Sequence, residues 1–105
     1  MSSQPSLFDH ARRPRSASER REQAARAFRA ARPDVWAAFC DRARELYLTH
    51  GFERYSAKGV FEQVRWTLIK AGDTARLNNN HVACWARWAM VEGHVPQGFF
   101  QTRER

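Results

Sequence analysis

The chain has 105 residues, with 18 Lys+Arg against 11 Asp+Glu for a formal net charge of +7. That length suits one domain with its own core and leaves little for a second. At 43% hydrophobic residues, with four Trp and seven Phe, the composition is too apolar for a disordered chain, and no apolar run approaches the roughly 20 residues of a membrane span. No apolar segment of the secretory type opens it, so the expectation is a cytoplasmic protein with reduced thiols at Cys40 and Cys84.

Charge and aromatics divide the chain unevenly. Residues 1–33 carry eight Arg against Asp9, Glu19 and Glu22, a net +5, and only Phe8 and Phe28 among the aromatics. Residues 34–105 carry ten Lys+Arg against eight acids, a net +2, and every other aromatic. The reading is a basic Arg-rich arm (1–33) ahead of a small helical domain (34–105). Such an arm is drawn to polyanions. The plainer account is a coding bias towards Arg, since only Lys58 and Lys70 are Lys.

In chain order, residues 1–15 are rich in Ser, Pro and Arg without apolar period and read as disordered. Ser16 and Glu19 have the spacing of a capping box. Residues 19–31 are Ala-, Arg- and Glu-rich and read as an exposed, weakly docked helix with Phe28 as its one large apolar residue. Asp34 is the expected N-cap of a first core helix over 35–50, with Val35, Trp36, Phe39, Ala43 and Leu46 inward and Gly51 as its stop. Residues 52–55 read as a short strand. Ser56 caps a second core helix over 57–69, with Val60, Phe61, Val64 and Leu68 on one face. Residues 71–77 form a loop. One of Asn78, Asn79 and Asn80 caps a third core helix to about Glu92, with Val82, Trp85, Ala86, Ala89 and Met90 inward. Pro96 prevents resumption, and residues 99–103 read as a last strand. The predicted fold is therefore mainly α: a three-helix core with a short two-stranded β element, winged helix-turn-helix-like, behind a basic helical or disordered arm.

The opening of the third helix carries the sharpest functional signal. A recognition helix reads base edges from its first residues, and Asn pairs bidentately with adenine. Asn79, Asn80, His81 and Arg87 are the candidate base contacts; the bland account is a cap and a turn. Lys58, Arg54, Arg65, Lys70 and Arg76 surround the second helix and the loop as candidate phosphate contacts, balanced in the bland account by Glu53, Glu62 and Asp73. Trp66 and Trp88 lie off the apolar stripes and are candidates for a partner surface; cover by a neighbouring element is the alternative, for Trp88 the arm helix. Phe61 and Trp66 stand five apart on the second helix, so Trp66 belongs under the 71–77 loop or at an interface. His81 and Cys84 share a helical face, yet the chain has no CxxC or HxxxH pair, so no metal site or cofactor is expected. It has no Gly-rich phosphate loop, no GxSxG elbow and no nucleophile–base–orienter set, so an enzyme is not expected.

The run Arg54-Tyr55-Ser56-Ala57-Lys58-Gly59-Val60-Phe61-Glu62-Gln63-Val64-Arg65-Trp66 belongs with Leu77-Asn78-Asn79-Asn80, Ala86-Arg87-Trp88-Ala89-Met90 and Gly98-Phe99-Phe100-Gln101-Thr102-Arg103. Together these resemble a family of short hypothetical proteins encoded by bacteriophages and prophages, over residues 34–103. The resemblance implies a phage-related origin and a bacterial host cytoplasm, and it brings no activity, cofactor or catalytic residue.

The expectation is a non-enzymatic DNA-binding protein of phage or prophage origin, in the manner of a transcriptional regulator. Its partner would be double-stranded DNA, as a homodimer if it binds an operator, with no membrane and no small-molecule substrate. The alternative is a phage-encoded inhibitor that occupies a surface of a host protein, of the anti-CRISPR or polymerase-inhibitor type. The same basic and aromatic residues would also serve RNA.

Overall fold

A computed structural model describes residues 16–74 and 76–101. Within them the chain forms four α-helices: α1 (Ala17–Ala31), α2 (Pro33–Leu48), α3 (Ala57–Lys70) and α4 (Val82–Val91), with a 3₁₀ turn, Asn79–His81, leading into α4. The segment 1–15, expected to be disordered, lies outside the described residues.

Local chemistry sets each boundary. Ser16 Oγ accepts from the Glu19 N–H, and the Glu19 carboxylate accepts from the Ser16 N–H, both at 3.1 Å. This reciprocal pair satisfies two donors that the first turn of α1 leaves open. Pro33 ends α1, because a proline cannot donate to the preceding turn and its ring crowds that turn's carbonyl. It then opens α2 as the first helical residue, where no N–H is needed. The helix thus starts one residue before the cap assigned to Asp34. Asp34 instead takes the Arg32 guanidinium at 2.8 Å. Gly51, at φ +76°, reverses the chain after α2, and the Phe52 N–H donates back to the Leu46 carbonyl at 3.1 Å. Ser56 caps α3 through the Gly59 N–H, and Asn78 caps the 3₁₀ turn through the Asn80 N–H.

Contacts at Arg32–Asp73 and Arg42–Gln63 show α2 and α3 running antiparallel. Trp85 on α4 fills the space between them, meeting Trp36 and Phe39 of α2 and Phe61 of α3 with ring centroids 5.2–5.6 Å apart. Phe99 and Phe100, both buried, close the far side of this core.

Helix α1 closes the near side. Ala25 is fully buried, and the Trp85 Nε1–H donates to its carbonyl at 3.3 Å. Phe28 stacks on Trp85 at 5.8 Å. Arg29 lies over Trp36 at 4.0 Å and makes a bidentate pair with Glu92 at 2.7 and 2.9 Å. The helix read as an exposed arm element therefore shares one core with α2–α4, and Pro33 marks a helix junction.

The winged helix-turn-helix expectation is overturned. The described residues form four helices with no strand and no sheet; residues 52–55 and 99–101 meet only through an isolated parallel bridge, Tyr55 to Phe100. Two features prevent strands. Phe52 and Tyr55 are three residues apart, so they cannot share a strand face, and their rings meet edge-on across a turn at 5.1 Å. Phe99 and Phe100 are consecutive and both buried, directly after Gly98 at φ +90°, which defeats the alternation a strand needs.

Phe39 is fully buried and touches rings from α2, α3, α4 and the segment after α4. Phe39→Ala should cost about 3–5 kcal/mol in urea unfolding. A loss below about 1 kcal/mol would mean that the aromatic cluster does not hold these four segments together.

Candidate functional site

The start of α4 is only partly presented to solvent, with Ala83 exposed and Val82 half-buried. His81 is buried, at 6% exposure, and its ring lies 5.6 Å from that of Phe28 on α1. Its Nδ1 has no hydrogen-bond partner. Burial holds its pKa below the ordinary imidazole value. Cys84, placed on the outward face by the sequence, is buried as well. The reason is α1: it covers the face of α4 that a three-helix core would have left open. Arg87 is half-buried and leans on the Cys84 Sγ at 3.6 Å. Trp88 is half-buried beneath α1, with the Arg26 guanidinium 5.1 Å from its ring centre. Asn79 and Asn80 are exposed, but the Asn79 Oδ1 accepts from Arg65 Nη2 at 2.9 Å. The expected base-reading residues are thus not brought together: Asn79 and Asn80 remain at the surface, while His81 faces the core.

A groove opens instead between the first turns of α3 and α4. Its floor is small and apolar, from Ala57, Val82, Ala83 and Ala86; Arg54 and Lys58 stand on one side and Asn79 and Gln101 border it. No carboxylate among the described residues lines it. Tyr55 also lines it and is held in place by Gln63 Nε2, which donates to its hydroxyl at 2.8 Å. The Gln63 side-chain Oε1 in turn accepts from the Arg42 Nε on α2. First turns of helices expose backbone N–H groups without intrahelical acceptors, so both walls begin at electropositive ends. Small floor residues leave the width. Of the predicted residues, Arg54, Lys58 and Asn79 lie in this groove. Gln101 was missed; the sequence carries no local signal that marks it.

Arg65, at the neighbouring edge, is fixed on three sides: Glu62 at 3.2 Å, the Leu77 carbonyl at 3.2 Å and Asn79. It ties α3 to the turn before α4 and shapes the groove while keeping its charge. Arg76 is exposed in the segment joining α3 to that turn. Trp66 projects from α3 with 59% of its surface exposed, and Ile69 with 53%. The described residues of the 71–77 segment leave Trp66 exposed.

Other cations are engaged elsewhere. Arg32 bonds Asp34 and Asp73, and its hydrogen bonds pull the Asp34 pKa down to about 2. Cys40 is buried, which pushes its thiol up to about 12, so it is no thiolate at neutral pH. Among the described residues no group of three or more His, Cys, Asp or Glu could hold a metal ion, and no helix is long and apolar enough to cross a membrane. No protein family, no curated protein and no solved structure matches the chain.

His81 gives the α1 contact a pH dependence. Its folded pKa is depressed, so in acid the unfolded chain takes up the proton first. Stability is full above the unfolded value of about 6.5 and falls as pH drops below it. Thermal melts from about pH 7.5 to about 5.5 should show a falling Tm, and His81→Phe should flatten that slope. An unchanged slope in the variant would assign the dependence to other groups.

Proposed function

We propose that this chain is a non-enzymatic DNA-binding protein whose contact surface is the groove between α3 and α4, with α4 not acting as a recognition helix. The observation that carries the reading is the groove's lining: Arg54 and Lys58 beside Asn79 and Gln101, with no acid among the described residues. Phosphate oxygens suit such a lining, because guanidinium, ammonium and amide donors all point at acceptors without a competing carboxylate. The net charge of +7 adds long-range attraction to a polyanion. Arg65 and Arg76 extend the positive edge next to Asn79.

The chemistry of the remaining side chains favours binding over turnover. The two cysteines are buried, and His81 is packed against Phe28 with its Nδ1 unbonded. The resemblance of residues 34–103 to short phage and prophage proteins accords with a small DNA-binding accessory, and with the bacterial cytoplasm as its place of work.

Salt-dependent titration of labelled DNA tests this. Binding should weaken steeply with salt, and each of Arg54→Ala and Lys58→Ala should lower the log–log slope by about 0.7–0.9. Neither side chain is buried, so both variants should keep the fold. If both bind with the native affinity and slope, the groove is not the contact surface.

A further inference from the structure

The outer face of α3 continues from the groove, and its residues differ from those that an ordinary solvated helix presents. Lys58, Glu62, Trp66 and Ile69 point away from the buried Val60, Phe61 and Val64, and Arg65 borders them. Lys58 belongs both to this face and to the groove lining. Trp66 and Ile69, three apart, form an uncovered apolar platform at the far end. Glu62, the face's one acid, is taken up by Arg65 at 3.2 Å.

We infer that this face binds single-stranded DNA, with Trp66 stacking on an unpaired base while Lys58 and Arg54 hold phosphates. The inference rests on the groove reading above and names its substrate. Charge complementarity selects the occupant. An apolar protein patch would match Trp66 and Ile69 but leave Lys58 and Arg54 facing nothing. A single strand matches both, since it carries phosphates along one edge and bare base faces along the other. Lys58 and Trp66 are eight residues apart, about 12 Å along the helix axis, which is the rise of three to four stacked nucleotides at about 3.4 Å each. One short stretch of strand therefore reaches both ends.

A duplex fits this face less well. Its base faces are stacked inside, so an indole has nothing to lie on. Its base edges are read by polar side chains at the start of a helix, and here that position on α4 is occupied by a buried His81. The indole of Trp66 is also the best placed of the four to report contact, because Trp36 and Trp85 are buried and Trp88 lies beneath α1.

The test is fluorescence anisotropy of a labelled oligo(dT) of about 12 nucleotides and of a duplex of equal length, at matched salt. Native protein should bind the single strand at least about tenfold more tightly than the duplex. Trp66→Ala should weaken single-strand binding roughly 5- to 150-fold and leave duplex binding unchanged. The oligo(dT) should quench the tryptophan emission of the native protein. Trp66→Phe should abolish that quench while holding affinity within about threefold, because a phenyl ring still stacks. Duplex bound as tightly as the single strand, or single-strand affinity untouched in Trp66→Ala, overturns the inference while leaving the groove reading in place. Binding to neither probe overturns both. An emission quench that persists in Trp66→Phe places the base elsewhere and overturns the stacking role.

Discussion

Trp85 is the contact on which the rest of the molecule depends. It is fully buried and meets Phe28, Trp36, Phe39 and Phe61, which belong to α1, α2 and α3, while its indole N–H is used by the Ala25 carbonyl of α1. Edge-to-face and offset contacts of this kind add to plain area burial and fix the angle at which elements meet. A smaller residue there would leave α2 and α3 paired but would remove the ring and indole N–H contacts by which α1 meets the centre of the core. The position of α4, and so of the groove at its first turn, follows from how this one ring is seated.

The same packing decides which charges remain for a partner. Docking α1 uses Arg29 in a bidentate pair with Glu92 and a cation–π contact with Trp36. The pair also depresses the Glu92 pKa. Arg32 is held by Asp34 and Asp73, Arg42 by Glu45, and Arg44 by Asp41. These pairs leave the net charge of +7 unchanged but fix where it sits, because several arginines fasten helices together. Arg54 and Lys58 stand apart from those pairs, beside small side chains at the first turns of α3 and α4. Surface ion pairs contribute little stability individually, so the consequence of this arrangement is more for where positive potential survives than for folding.

The helices were legible because their signals are local. Ser16 with Glu19, Ser56 before α3 and Gly51 after α2 are read from neighbouring residues, and the inward stripes of α2 and α3 follow a single period. The strands were not legible, since two aromatics three apart and two adjacent buried phenylalanines resemble alternation until the fold shows them meeting across turns. The site failed for a different reason. Whether a face of α4 is open depends on α1, whose sequence is Ala- and Arg-rich and shows only Phe28 as an anchor. Its docking comes from Ala25, small enough to let backbone reach Trp85, and from arginines lying flat on tryptophans. Neither counts as apolar in a periodicity pattern. Covering α4 turned His81 and Cys84 inward and took the recognition surface with them.

That cover leaves α3 as the helix with the more open outer face. Helix α4 has buried positions around much of its circumference, from His81 and Cys84 under α1 to Trp85, Ala86 and Ala89 in the core. Helix α3 buries one stripe, Ala57, Val60, Phe61 and Val64, and on its opposite side Trp66 and Ile69 stay exposed among the described residues. A helix with one covered stripe ordinarily fills the other with charged side chains that keep it soluble. Here the uncovered side holds Trp66 and Ile69 in a row that begins with Lys58. Exposed apolar side chains in line with cations cost solubility unless a partner meets both, and the partner that meets both carries negative charge and flat apolar faces together.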